Sequence, residues 1–139
     1  MYIIECTSEQ DIMQTYPVMF QLRPHIPEQE YLPRVQQIRQ EGGRLIAVMQ
    51  NGRCLGCALF RKETRLFTGP MIYVDDLITD EQERSKGVGK ALLNWIAEEA
   101  KRLLVNICIL DSGTHRTQAH KFYFREGYTI GAFNFRKAV

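Results

Sequence analysis

Apolar positions recur at two spacings along this chain, and the switches between them predict its elements. Tyr2 to Cys6 reads as a short strand. From Ser8 the spacing lengthens: Ile12, Tyr16, Met19 and Phe20 fall on one helical face, with Ser8 placed to cap and Asp11 three residues on. Pro24 and Pro27 cannot both lie inside a helix, so Leu22 to Pro27 breaks the pattern. A second helix is expected within Glu28 to Glu41, with Pro33 blurring its start and Gly42-Gly43 ending it.

Leu45 to Met49 and Cys54 to Phe60 are apolar runs joined across Asn51-Gly52, a strong signal for a tight hairpin. Arg61 to Pro70 is polar and predicts a loop or frayed hairpin end, and Met71 to Thr79 predicts a strand. Val88, Leu92, Trp95, Ile96 and Leu103 mark a long helix whose apolar face is broken only at Glu99. A short buried strand over Val105 to Leu110, a helix over Arg116 to Arg125 and a last strand over Tyr128 to Phe135 complete the pattern. The order β-α-α-β-β-β-α-β-α-β predicts an α/β fold, a three-layer mixed central sheet flanked by helices. Met71 to Leu110 should form a right-handed parallel crossover.

Composition narrows this picture. A chain of 139 residues, 45% hydrophobic and 24% charged, is expected to be a single domain over 1–139. No run approaches the roughly 18 apolar residues of a membrane span, and Met1 to Glu5 lacks a basic region leading into an apolar one. The cytoplasm is therefore the expected location, with no membrane partner. A net charge of +2 with scattered basic residues argues against a nucleic-acid partner. Cys54-Leu55-Gly56-Cys57 has the spacing of a redox pair or half a metal site, but Cys6 and Cys108 have no Cys or His partner three to five residues away. In a strand, positions three apart face opposite sides, so free thiols and no metal are expected.

The segment from Val74 to Lys90 is the richest in chemistry: a strand, a polar turn, then a glycine-containing entry into a helix. A helix start leaves backbone N–H groups without partners at the positive end of the dipole. Gly87 and Gly89 let an anion approach the backbone, and Arg84 and Lys86 add positive charge. That suits a pyrophosphate. The third glycine of a dinucleotide fingerprint is missing, and Gly89-Lys90-Ala91 is not the end of a P-loop.

Arg84-x-x-Gly87-x-Gly89 after Asp76-Leu77-Ile78 resembles the [QR]-x-x-G-x-[GA] signature of the GNAT acyl-CoA N-acyltransferase superfamily. Ala119-His120-Lys121-Phe122-Tyr123-Phe124-Arg125-Glu126-Gly127-Tyr128 resembles that family's A-x-x-[LF]-Y-x-x-x-G-[FY] motif, in the right order and spacing. The resemblance covers roughly Met71 to Tyr128. It implies transfer of the acetyl group of acetyl-CoA to a primary amine by direct attack. It implies pantetheine pairing with the backbone near Leu77, Ile78 and Thr79, and pyrophosphate on Arg84, Ser85, Lys86, Gly87, Val88, Gly89 and Lys90.

Tyr123 stands where the family often keeps a general acid, and a phenol with a pKa of about 10 stays protonated near neutrality. Asp76, in preference to the adjacent Asp75, is the candidate base. His25, in the loop between the first two helices, and Asp111, Ser112, His115 and Arg116, after the penultimate strand, are candidate substrate contacts. Arg116 stands where the family often has an asparagine, which puts that residue's contact with pantetheine in doubt. No G-x-S-x-G elbow surrounds Ser112, against a hydrolase. The acceptor, a small-molecule or protein amine, is left open. So is a non-catalytic acyl-CoA-sensing or partner-binding module on the same fold. A homodimer is admitted through the terminal strand.

Overall fold

The computed structural model describes residues 1–139, which form two compact units, Met1–Ile109 and Leu110–Val139. The elements in order are β1 (Tyr2–Glu5), α1 (Glu9–Leu22), α2 (Glu28–Gln40), β2 (Gly43–Gln50), β3 (Arg53–Arg65) and β4 (Gly69–Thr79). After a 3-10 turn at Glu81–Glu83 come α3 (Val88–Arg102), β5 (Cys108–Leu110) and α4 (Thr117–Arg125). The five strands form one mixed sheet in the order β1-β2-β3-β4-β5, with the first four antiparallel to their neighbours. Ser8 caps α1 through the Asp11 N–H at 3.1 Å, as expected. Asn51 and Gly52 both take positive φ, 52° and 73°, the geometry a two-residue hairpin turn demands.

Two stretches of the first unit differ from expectation. Arg61 to Pro70 is mostly ladder: β3 runs to Arg65, a turn covers only 66–68, and β4 pairs from Gly69. Its charges lie on the strand surface in pairs, Arg61 with Asp75 at 2.7 Å and Arg65 with Glu63 at 2.7 Å, so polarity here marks solvation of a long hairpin and not its end. The strand expected over Val105 to Leu110 shortens to Cys108–Leu110, although Ile107 already accepts a hydrogen bond from the Ile72 N–H at 3.1 Å.

Alternation divides the side chains of the sheet between two faces. Leu45, Ala47 and Met49 of β2 join Ile12 and Met19 of α1 and Tyr31 and Val35 of α2 in one buried cluster. On the other face α3 buries Val88, Leu92 and Ile96, and Trp95 meets Phe60 edge-on at 6.0 Å. Each fully buried Leu, Ile or Phe side chain stabilises the fold by about 1.5–3 kcal/mol. Glu99, the expected interruption, is enclosed by Arg44 at 3.0 Å and by Arg102. Arg44 also bonds Glu5 at 2.8 Å and lies over the Phe60 ring at 5.2 Å.

Cys54 and Cys57 do not face opposite sides. A register shift between Val48 and Met49 inserts Leu55, which turns both thiols into the same cluster. Cys54 Sγ donates to the Gly56 carbonyl at 3.3 Å.

In the second unit a turn at 113–116 leads into α4, and His120 Nε2 meets the Gly113 carbonyl at 2.8 Å. Tyr123 is buried and its ring packs against Tyr128 at 5.9 Å. The strand expected over Tyr128 to Phe135 is absent: residues 129–139 are exposed and no ladder forms along them. Alternation marks a chain able to pair, but a strand exists only through hydrogen bonds to a neighbour. Here Tyr128 donates its N–H back to the Tyr123 carbonyl at 3.0 Å, and Asn134 Nδ2 donates to Asp111 at 2.8 Å.

Candidate functional site

The loop that opens α3 has the features of an anion site. Asp80 follows β4, donates its N–H to the Leu55 carbonyl at 2.8 Å and accepts from the Gln82 N–H at 3.1 Å, which starts the 3-10 turn. Ser85 and Gly87 then take φ of 64° and 84°, two left-handed residues within three, and the chain turns into α3 with Gly87 as its N-cap. The first bond of the helix runs from the Ala91 N–H to the Gly87 carbonyl at 2.9 Å. The N–H groups of Arg84, Ser85, Lys86, Gly87, Val88, Gly89 and Lys90 donate to no protein acceptor. They are clustered at a helix N-terminus, where the dipole is positive.

The charges are distributed differently from the expectation. Lys86 Nζ is engaged by Glu83 at 3.0 Å, and Glu83 also accepts from Arg53, whose other branch reaches Asp80 at 3.1 Å. Lys86 holds the Glu83 carboxyl below its usual range, with Arg53 adding to the effect. Arg84 and Lys90 carry no ion pair and remain the available cations of the loop.

β4 supplies the adjoining edge. Leu77 and Ile78 are buried and pair with Ala58 and Cys57, and Thr79 lies opposite Gly56. β5 has 3 residues against 11 in β4, so β4 outruns its neighbour and keeps backbone groups on that side without a strand partner. A second register shift, between Leu59 and Phe60, inserts Asp75 into β4. The bulge gives the two adjacent aspartates separate partners: Asp75 takes Arg61, whereas Asp76 takes Arg23 Nε at 2.7 Å.

Asp76 borders a pocket of about 230 Å³. Its apolar wall is formed by Met19, Ile26, Val35, Ile38 and Leu59, and its polar groups by Arg23, His25, Arg34, Tyr31 and Asp76. Asp76 and His25, two residues singled out by sequence, thus share one cavity. Burial raises the Asp76 carboxyl above its usual range, and the hydrogen bond and charge of Arg23 pull it back. The Tyr31 hydroxyl is raised by burial and bonded to Thr15 Oγ1 at 2.7 Å. Nothing in the sequence singles out Arg23. It sits between Leu22 and Pro24 with no motif around it, and its partner lies 53 positions away. The Pro-bounded break was the available signal, since it turns this arginine off the end of α1.

In the second unit Tyr123 is raised by burial above the usual phenol range, while the charge of Arg116 and its hydrogen bond pull it down. Arg116 therefore serves the phenol locally. The Ser112 hydroxyl oxygen is buried without a partner, His115 is exposed, and Asp111 is held by Asn134.

The family model for the GNAT acetyltransferases matches residues 9–128. The chain belongs to the GNAT acetyltransferase family. The uncharacterised N-acetyltransferase YhdJ of Bacillus subtilis is 34% identical over 139 residues, covering 97% of this chain and 96% of that one. Among solved structures, a ribosomal-protein-alanine N-acetyltransferase from Brucella melitensis superposes over the full length of both chains, with TM-score 0.85 and 18% identity. The aminoglycoside N-acetyltransferase AAC(6')-Iy, solved with a bisubstrate analogue built on CoA, has TM-score 0.84 and 17% identity, covering 99% of this chain and 98% of that one. These likenesses establish the α/β fold. With the family match they make the protein an N-acetyltransferase whose acceptor is open.

Proposed function

We propose that this N-acetyltransferase uses acetyl-CoA as donor, holds its pyrophosphate on the backbone of Arg84 to Lys90, and acetylates a primary amine bound in the Asp76 pocket. The carrying observation is the run of N–H groups without acceptors leading into α3, which contains the left-handed residues Ser85 and Gly87. A phosphate oxygen satisfies such donors and gains from the helix dipole. Arg84 and Lys90 add charge without having to break an existing pair. The CoA complex of the structural neighbour supports the same donor.

The amine nitrogen attacks the thioester carbonyl, its carbon–sulfur bond breaks, and the departing thiolate takes a proton from the Tyr123 hydroxyl. Burial keeps that phenol protonated through neutral pH, as a general acid requires. Backbone N–H groups on the open edge of β4 stabilise the developing oxyanion. The nitrogen sheds its proton to solvent or by way of Asp76, whose raised carboxyl is a better base than an ordinary aspartate.

Calorimetry on wild type and on the double variant Gly87→Asp/Gly89→Asp tests the donor site. Micromolar acetyl-CoA binding by wild type and its loss in a folded variant are expected. A folded wild type that binds no acetyl-CoA would sink the reading.

A further inference from the structure

Resting on that reading of the pocket as the acceptor site, we propose that the acceptor is a small zwitterion. Its oxyanion takes Arg23, its ammonium takes Asp76, and its apolar side chain lies on the wall of the cavity. The volume of about 230 Å³ is below the roughly 300–1,000 Å³ of common ligand sites, so the occupant has the size of an amino acid. The wall of Met19, Ile26, Val35, Ile38 and Leu59 matches a hydrocarbon chain.

The ion pair already present decides the charge pattern. In the free protein Arg23 Nε and Asp76 Oδ1 are 2.7 Å apart, with the Asp76 side chain 15% exposed. A simple alkylammonium attracted to Asp76 must compete with that guanidinium and gives Arg23, whose side chain is 41% exposed, only water in exchange. A simple anion attracted to Arg23 strands a mostly buried carboxylate, an expensive outcome. A zwitterion exchanges both partners at once: one internal pair becomes two, and no charge is left alone. Arg34 strengthens the preference. It lines the same cavity, and its own acid, Glu30, is 4.0 Å away on an exposed helix face, so it remains free to meet the oxyanion. The oxyanion is a carboxylate or a phosphonate, two groups with the same demand on a guanidinium.

The test measures CoA release by the full chain with acetyl-CoA and matched amines: L-leucine, its aminoalkylphosphonate analogue, 3-methylbutylamine, spermidine and a peptide with a free N-terminus. Turnover of either zwitterion with kcat/KM about a hundredfold above that of 3-methylbutylamine is expected, within the range that loss of one partner of a hydrogen-bonded charge pair produces. Arg23→Gln should raise KM for the zwitterion and erase that ratio, and Arg23→Lys should restore part of it. Because Arg23→Gln strands Asp76, the double variant Arg23→Gln/Asp76→Asn is run beside it with circular dichroism as the fold control. Acetyl-CoA binding by calorimetry separates the two failures. Without that binding the donor site falls. With it, equal or faster turnover of 3-methylbutylamine, spermidine or the peptide, or no turnover of either zwitterion, overturns the zwitterion inference alone.

Discussion

Tyr123, Glu99 and Arg23 show how a side chain's neighbours set what it does. Burial holds the Tyr123 proton on, while Arg116 draws charge towards the oxygen and eases its release. Tyr123→Phe should therefore lower kcat by about 10²–10⁴-fold, the usual worth of a general acid, and leave the calorimetric affinity for acetyl-CoA within about twofold. Full activity in that variant would remove the acid role. Glu99 gives a stability prediction with a definite sign. Arg102 first, and then Arg44, bring its carboxyl down from 4.5 to about 2 in the folded chain. The unfolded chain binds the proton first as pH falls, so the contribution of this ion cluster is complete above pH 4.5 and drains away between 4.5 and about 2. Thermal melts over that range should lose part of their pH slope in Glu99→Gln, which should also melt lower at pH 7; an unchanged slope would refute this. A motif, a strand end and a proline break draw attention to Tyr123, Asp76 and His25 in the sequence. Nothing does so for Arg23, since what makes it matter is a partner brought close only by folding.

Elements were legible where a local rule decided them. The Ser8 cap, the Asn51-Gly52 turn and the apolar face of α3 depend on residues within one or two turns of each other, and all three appear as read. The misread stretches depend on a neighbour. The polar end of β3 becomes a strand because β4 lies beside it, and Tyr128 to Phe135 does not because no ladder forms there. Both bulges escaped notice for the same reason, since a register shift is a property of two strands and cannot be written in one. One element contact links the core to the anion loop. A Cβ on Gly56 would meet Val88 Cγ1 at 2.6 Å and the Ile78 carbonyl at 2.9 Å, and Val88 is the first residue of α3. Gly56→Val should displace that helix start. We expect a loss of about 1–3 kcal/mol in denaturant melts, typical of overpacking, and weaker acetyl-CoA binding. Equal affinity in the folded variant would show that α3 is not anchored there. Hydrogen exchange gives a complementary reading: the amides from Arg84 to Lys90, free of acceptors, should exchange fast in the free protein and slow on addition of acetyl-CoA.

At the scale of the whole molecule, the family match runs from residue 9 to 128 and so through both compact units, although each has its own contacts. The anion loop, the β4 edge and the Asp76 pocket belong to the first unit, and the Tyr123 hydroxyl belongs to the second. Trp95, the single tryptophan, packs on Phe60 in the first unit and reports its unfolding by fluorescence. Hydrogen exchange of the α4 amides reports on the second. With acetyl-CoA at about a hundred times its Kd, the fluorescence transition in urea should gain about 2.7 kcal/mol and the α4 amides should exchange about a hundredfold more slowly. A shift of fluorescence with no added protection in α4 would confine the donor to the first unit and take the leaving-group role away from Tyr123. Added protection in α4 is what a proton transfer from Tyr123 to the departing sulfur requires.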